Sequence, residues 1–284
     1  MSTKRQNPET IAIHGGDYRS DPTTKAVAVP IYRTTSYQFD STEHAANLFA
    51  LKEFGNIYTR IMNPTNDALE KRLAALEGGL ACLTVSSGQT ASTFAILNVA
   101  KAGDNIISST DLYGGTVSLF THTLSKLGIE VRYADPADPK NFEKAVDDKT
   151  RAFYGETLPN PYLRVFPIKE VSDIGRKHNI PLIMDNTASP VLCKPLEHGA
   201  AVVVYSLTKY IGGHGTVVGG ALIDGGNFDW TADPKRQPNF NEPDASYGGA
   251  VWGKAVPELT GANVSFAVRA RVVLLRDLGA ALSP

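Results

Sequence analysis

The chain has 284 residues, 42% of them apolar and 20% charged, with a formal net charge of −1. That length can bury a large core, while the near-zero charge excludes nucleic acid or an anionic membrane as a general electrostatic partner. Cys82 and Cys193 are too few for a disulfide framework. With no apolar signal-peptide core in MSTKRQNPETIAIHGG and no membrane-length apolar run, the chain reads as soluble and cytoplasmic.

Residues 1–62 show little periodicity and read as an extended N-terminal arm with a small helix around EHAANLFALKEF (43–54). A helix is expected from Asn63-Pro64, with Asn as N-cap and Pro at the first helical position, ending at Gly78-Gly79. Leu69, Leu73 and Leu76 give it an apolar face. Short apolar runs then alternate with helical patterns. Strands are expected at 81–85, 105–109, 129–134, 152–156, 181–185, 201–206 and 217–223, and helices at 89–101, 114–127, 139–147 and 167–178. This alternation predicts an α/β domain over 63–262, a mostly parallel sheet covered by helices on both faces. Within it, 225–262 is rich in Gly, Pro, Asn and Asp and reads as a long functional or disordered loop. A terminal helical pattern follows over 263–284 and carries Arg269, Arg271 and Arg276.

Ligands on such sheets bind beyond the carboxyl ends of the strands, and two charged residues stand there. Lys209 follows AVVVYS in VVVYSLTKYIGGHG (202–215), where burial would disfavour its charged form and make it a nucleophilic amine. Asp185 ends LIMDN (182–186). Each alone is also what an ordinary strand end looks like. A lysine for an aldehyde, an aspartate for a pyridinium nitrogen and the hydroxyls of Ser206 and Thr208 for a phosphate together describe pyridoxal 5′-phosphate.

Other segments supply matching parts. SSGQTA (86–91) opens a helix after the first strand, so Gly88 and Gln89 can offer backbone N–H groups to a phosphate where the helix dipole favours an anion. Tyr113 in DLYGGT is placed to stack on the cofactor ring, with a hydroxyl suited to proton transfer. Glu156 and Asn160 end another strand, and Asn160 can reach either the phenolic oxygen of the cofactor or a substrate carboxylate. Tyr58 and Arg60, two apart in YTRIMNPT, share one side of an extended arm. Arg60 suits a phosphate, and their place outside the sheet domain points to the site of a neighbouring subunit. GGHGTVVGG (212–220) lacks GxGxxG spacing, and the histidines and cysteines show no metal-ligand spacing, so no metal site is expected.

Taken in order, IAIHGG, PIYRTTSYQF, YTRIMNPT, LEKRLAALEGG, SSGQTA, DLYGGT, PNP, DNT and SLTKYIGGHG resemble the cystathionine γ-synthase-like family, the PLP-dependent enzymes of cysteine and methionine metabolism. FALKEFGNIYTRIMNPTNDALEKRLAALEGG (49–79) is most similar to the branch acting on O-acetylhomoserine. The resemblance implies fold type I and γ-replacement on O-acetylhomoserine by sulfide or methanethiol, giving homocysteine or methionine plus acetate. It implies that Lys209 carries the cofactor, that Asp185 holds the ring nitrogen and that Tyr113 stacks. Gly88, Gln89, Ser206 and Thr208 would bind the phosphate, and Asn160 the phenolic oxygen. Tyr58 and Arg60 would come from the adjacent subunit of a homotetramer, Tyr58 joining Lys209 and Tyr113 as a catalytic candidate. The alternatives are cystathionine γ-synthase or methionine γ-lyase chemistry, and a non-catalytic cofactor-binding or subunit-interaction module. Family members continue into a C-terminal domain with an arginine for the substrate carboxylate, and the chain stops at Pro284, about where that domain is expected to begin.

Overall fold

The computed structural model describes residues 6–16 and 20–284, so residues 1–5 and 17–19 of the expected arm lie outside the described residues. Among the described residues, β1 (Ala81–Val85), β2 (Asn105–Ser109), β3 (Glu130–Ala134), β4 (Thr150–Glu156), β5 (Leu182–Asp185), β6 (Val202–Ser206) and β7 (Gly220–Asp224) form one sheet. Its order is β1-β7-β6-β5-β4-β2-β3. β7 is antiparallel to both neighbours and every other pairing is parallel.

The helices follow in chain order. α1 (Pro8–His14) and α2 (Thr42–Phe49) belong to the arm, and α3 (Pro64–Glu77) precedes the sheet. α4 (Gly88–Val99), α5 (Gly114–Ser118), α6 (Lys140–Lys144) and α7 (Ile168–Lys177) lie between strands. α8 (Pro238–Asn241), α9 (Trp252–Thr260), α10 (Ser265–Arg269) and α11 (Arg276–Leu278) come last. π-helical turns extend α5 through Leu124 and join α10 to α11. α3 starts and stops as its sequence demands: the Asn63 side chain accepts from Thr65 N–H, Pro64 follows, and Gly78 adopts φ 83° at the C-cap.

Period-2 alternation sends the strand residues to two cores. Tyr154, Ile183, Val202, Val204 and Leu222 pack with Ala91, Phe94 and Ala95 of α4 and Phe266 of α10 on one face. On the other, Phe153, Leu182 and Met184 meet Val171 and Ile174 of α7, while Val203, Tyr205 and Ile223 meet Leu73 and Ala74 of α3. The sheet is therefore covered on both faces, as expected for α/β alternation. Asp185, Glu156 and Ser206 lie two residues beyond Ile183, Tyr154 and Val204, so the chemistry-bearing side chains share the α4 face at the strands' carboxyl edge.

One expectation is overturned. Residues 225–262 are an ordered part of the core, holding α8 and α9, and Phe228, Trp230, Phe240 and Trp252 are buried. The Trp230 ring stacks on Phe240 at 4.4 Å between centroids and on Phe266 at 5.3 Å. Aromatic burial, which follows neither helical nor strand periodicity here, outweighs the turn-forming composition. α1 is also additional to the expected elements; it buries none of its residues and is tied to α3 by Arg72 Nε donating to Gly15 O at 3.3 Å. Among the described residues, no helix is long and apolar enough to cross a membrane.

Candidate active site

The turn from β1 into α4 lies directly against the ends of β6 and β7. A Cβ added at Gly88 would stand 2.6 Å from Ser206 Cβ, and one added at Gly220 would stand 2.0 Å from Ser87 O. Glycine is required at both places because backbone meets backbone. Ser87 caps α4 by accepting from Thr90 N–H. The Gly88 and Gln89 N–H groups find no acceptor among the described residues, and neither does the Ser206 hydroxyl. Thr208 differs: its hydroxyl donates to Gly219 O at 3.3 Å and accepts from Gly219 N–H at 3.1 Å. Free N–H groups at a helix N-terminus make a ready anion site.

Thr187 joins this end to the acidic end. Its Oγ1 accepts from Ser206 N–H at 2.8 Å, and both its hydroxyl and its N–H bond the Asp185 carboxyl, the latter at 2.9 Å. Asp185 also receives the Tyr154 hydroxyl, which lies 2.9 Å from Ser92 Oγ. Across the β4–β5 register Asp185 faces Glu156. Glu156 is 6% exposed and accepts from Tyr113 N–H at 2.7 Å and from Asn160 N–H. Burial pushes both carboxyl groups up from the usual range, and the neighbouring Asp185 charge raises Glu156 further. Neither acid has an ion pair with Lys, Arg or His among the described residues. A pair of buried carboxyls without a cation is poised to take one from a ligand.

Tyr113 and Gln89 meet over Gly115, where an added Cβ would lie 2.4 Å from Tyr113 Cε1 and 2.8 Å from Gln89 Nε2. Lys209 belongs to the turn after β6, its N–H donating to Ser206 O at 3.3 Å and its carbonyl accepting from Gly213 N–H at 2.8 Å. Its side chain is exposed and has no ion pair or hydrogen bond among the described residues. That corrects the expectation of a desolvated lysine: the strand stops at Ser206 and the turn carries Lys209 outward, so burial does not distinguish it. Gly88, Gln89, Ser206, Thr208, Lys209, Asp185, Tyr113 and Asn160 are thus assembled at one sheet edge. Tyr58 and Arg60 are not. They lie in the arm, with Arg60 Cζ 5.5 Å from the centroid of the Tyr58 ring, and neither bonds to a residue of that edge.

Thr187, Tyr154 and Glu156 are the parts to which the sequence reading assigned no role. The two-residue spacing of Tyr154 and Glu156 puts them on one face of β4, but only the β4–β5 register sets that face beside Asp185. The arrangement suits pyridoxal phosphate: unsatisfied N–H donors for a phosphate, an acid pair without a cation for a protonated ring nitrogen, a ring near both, and a free amine.

The family model for Cys/Met metabolism PLP-dependent enzymes matches residues 9–284. The O-acetyl-L-homoserine sulfhydrylase of Leptospira meyeri is 56% identical over 282 residues, covering 98% of this chain and 63% of that protein. O-acetyl-L-homoserine sulfhydrylase 1 of Thermus thermophilus is 50% identical over 279 residues, covering 97% and 64%. A crystal structure from Campylobacter jejuni, provisionally described as an O-acetylhomoserine (thiol)-lyase, carries N′-pyridoxyl-lysine-5′-monophosphate. It superposes with a TM-score of 0.91 at 42% identity, covering 98% of this chain and 67% of that one. The chain spans a little under two thirds of the length of the curated relatives it matches. By its sequence, its fold type I architecture and the make-up of this site, the chain belongs to the Cys/Met metabolism PLP-dependent enzyme family.

Proposed function

We propose that this chain carries the cofactor site of an O-acetylhomoserine sulfhydrylase, which replaces the γ-acetoxy group with sulfide or methanethiol to give homocysteine or methionine plus acetate. The observation that carries this reading is the joining, through Thr187, of acceptor-free N–H groups at α4 to a cation-free acid pair at β4 and β5. The similarity to proteins named for that activity supports the choice of substrate.

When bound, pyridoxal phosphate supplies the electron sink for a carbanion on the substrate. Lys209 Nζ would tether it and would move protons at the substrate's α and β carbons; among the described residues no ion pair or hydrogen bond ties that amine elsewhere. Asp185 holds the proton on the ring nitrogen, and Thr187 and Tyr154 orient that carboxylate. Gly88 and Gln89 N–H groups and the Ser206 hydroxyl bind the phosphate, with Thr208 bracing the turn against Gly219. Tyr113 stacks on the ring and Asn160 contacts its phenolic oxygen. Residues 63–262 form the cofactor-binding domain, and the segment 263–284 contributes the helical run α10–α11, which packs on it. The arm, residues 1–62, delivers Tyr58 and Arg60 to the phosphate of an adjacent subunit in a cytoplasmic homo-oligomer. Their lack of contact with their own chain's site supports that exchange.

The test is product analysis with purified protein, added pyridoxal phosphate and sulfide. Homocysteine and acetate are expected from O-acetylhomoserine and much less product from O-succinylhomoserine. Turnover of methionine alone, with none of O-acetylhomoserine, would overturn the choice of reaction.

A further inference from the structure

Tyr113 is 49% exposed, two glycines follow it, and it starts α5 without a side-chain cap; its carbonyl accepts from Thr116 and Val117 N–H, and its ring lies against Gly115 beside Gln89. What ties it to the sheet is the 2.7 Å bond from its N–H to Glu156 Oε1, and Glu156 ends a strand buried at every position between β2 and β5. The same carboxyl receives Asn160 N–H. We propose that Glu156 is a positioning residue: its single carboxyl group takes the N–H of Tyr113 and of Asn160, and so sets where the Tyr113 ring stands over the cofactor. This deepens the reading above and rests on Tyr113 stacking on pyridoxal phosphate.

The choice of side chain agrees with this role. Either oxygen of a carboxyl group can accept, whereas glutamine has one accepting oxygen and would turn an NH2 group toward a second donor. A glutamate here is unfavourable for the fold alone, being buried beside Asp185 with no cation among the described residues. Apart from Asp185, the titratable group that feels its charge is the buried Tyr154, which supplies no positive charge.

The experiment is a double-mutant cycle of Glu156→Gln and Tyr113→Ala, read by pyridoxal phosphate affinity and by visible circular dichroism per bound cofactor. Glu156→Gln alone is expected to weaken binding roughly ten-fold and to reduce the dichroic band at saturation. In the Tyr113→Ala background it is expected to change neither, because its effect passes through the ring. An effect that survives there in full overturns the proposal, as does a Glu156→Gln protein indistinguishable from the wild type. Hydrogen exchange on the wild-type protein gives a reading that needs no variant. Tyr113 and Asn160 amides protected like those of β4 support the clamp, and amides exchanging at open-loop rates refute it. Absence of any visible band in the wild type would instead refute the cofactor reading, and the exchange result would still stand.

Discussion

Gly220→Ala tests whether the turn between β1 and α4 must lie against β7. The added Cβ would stand 2.0 Å from Ser87 O, 2.4 Å from Ser87 C and 2.9 Å from Gly88 N, all backbone atoms that no rotamer change can clear. Ordinary contact begins near 3.4 Å, so turn and strand must part by about 1.4 Å, an overpacking that costs roughly 1–3 kcal/mol. For a chain of this size that lowers Tm by about 2–4 °C per kcal/mol. The protein should still fold. The larger effect falls on the site, because the displaced turn carries the Gly88 and Gln89 N–H groups away from Ser206, and a misplacement near 1 Å costs on the order of a hundredfold in a positioned site. Pyridoxal phosphate titration followed by absorbance should show affinity lowered by roughly ten-fold or more. Gly114→Ala is the control, since nothing lies within 4 Å of its added Cβ. A Gly220→Ala protein with unchanged cofactor affinity would refute the assignment of this turn as the phosphate cradle.

Three further outcomes are expected. Burial raises Glu77 to about 7, while Tyr205 donates to it and Asn186 donates to Tyr205. Its proton is held more tightly folded than unfolded, so the contribution to stability is full below about pH 4.5 and is lost as pH rises toward 7. Glu77→Gln should flatten that decline and, near pH 8, add up to about 3 kcal/mol in urea unfolding; an unchanged pH slope would contradict it. Arg271 pairs with Glu70, which is 6% exposed and also accepts from Thr84 N–H at 2.8 Å and Thr84 Oγ1 at 2.9 Å. Arg271→Met leaves that acid unpaired and should cost about 3–5 kcal/mol, whereas a loss below 1 kcal/mol in urea unfolding would show the pair to be incidental. Arg60→Ala should weaken pyridoxal phosphate binding, and mixing it with Lys209→Ala chains should restore activity through hybrid sites. Unchanged affinity for the Arg60→Ala protein would remove the shared-site reading.

Much of the sheet was legible because its strands are apolar runs closed by turn signals. ACLTV and NIISS fall on β1 and β2 residue for residue, and the Asn63-Pro64 and Gly78 signals bound α3. The antiparallel direction of β7 was not legible, since strand direction is a tertiary property that leaves the local pattern unchanged. The composition of residues 225–262 misleads because Trp230 and Phe240 are buried by stacking on each other and on Phe266 of α10, and Trp252 lies edge-on to Tyr247, contacts without a period. At the site, Asp185 and the Gly88 turn stand where their strand ends put them. Lys209 was placed correctly in the chain and wrongly in its surroundings, because the extent of a turn decides which way its side chains face. Thr187 as a bridge between Ser206 and Asp185 needs the β5–β6 pairing, and Glu156 beside Asp185 needs the β4–β5 register. Neither follows from spacing along one strand.

The central claim is that Lys209 is the amine that bears the cofactor. Its direct test is to add pyridoxal phosphate to the purified protein, reduce with borohydride, digest, and map the labelled peptide by mass spectrometry. The account predicts stoichiometric label on the peptide containing Lys209, and none on that site or any other in Lys209→Ala. Label spread evenly over exposed lysines, or concentrated on another one and undiminished in Lys209→Ala, would contradict it.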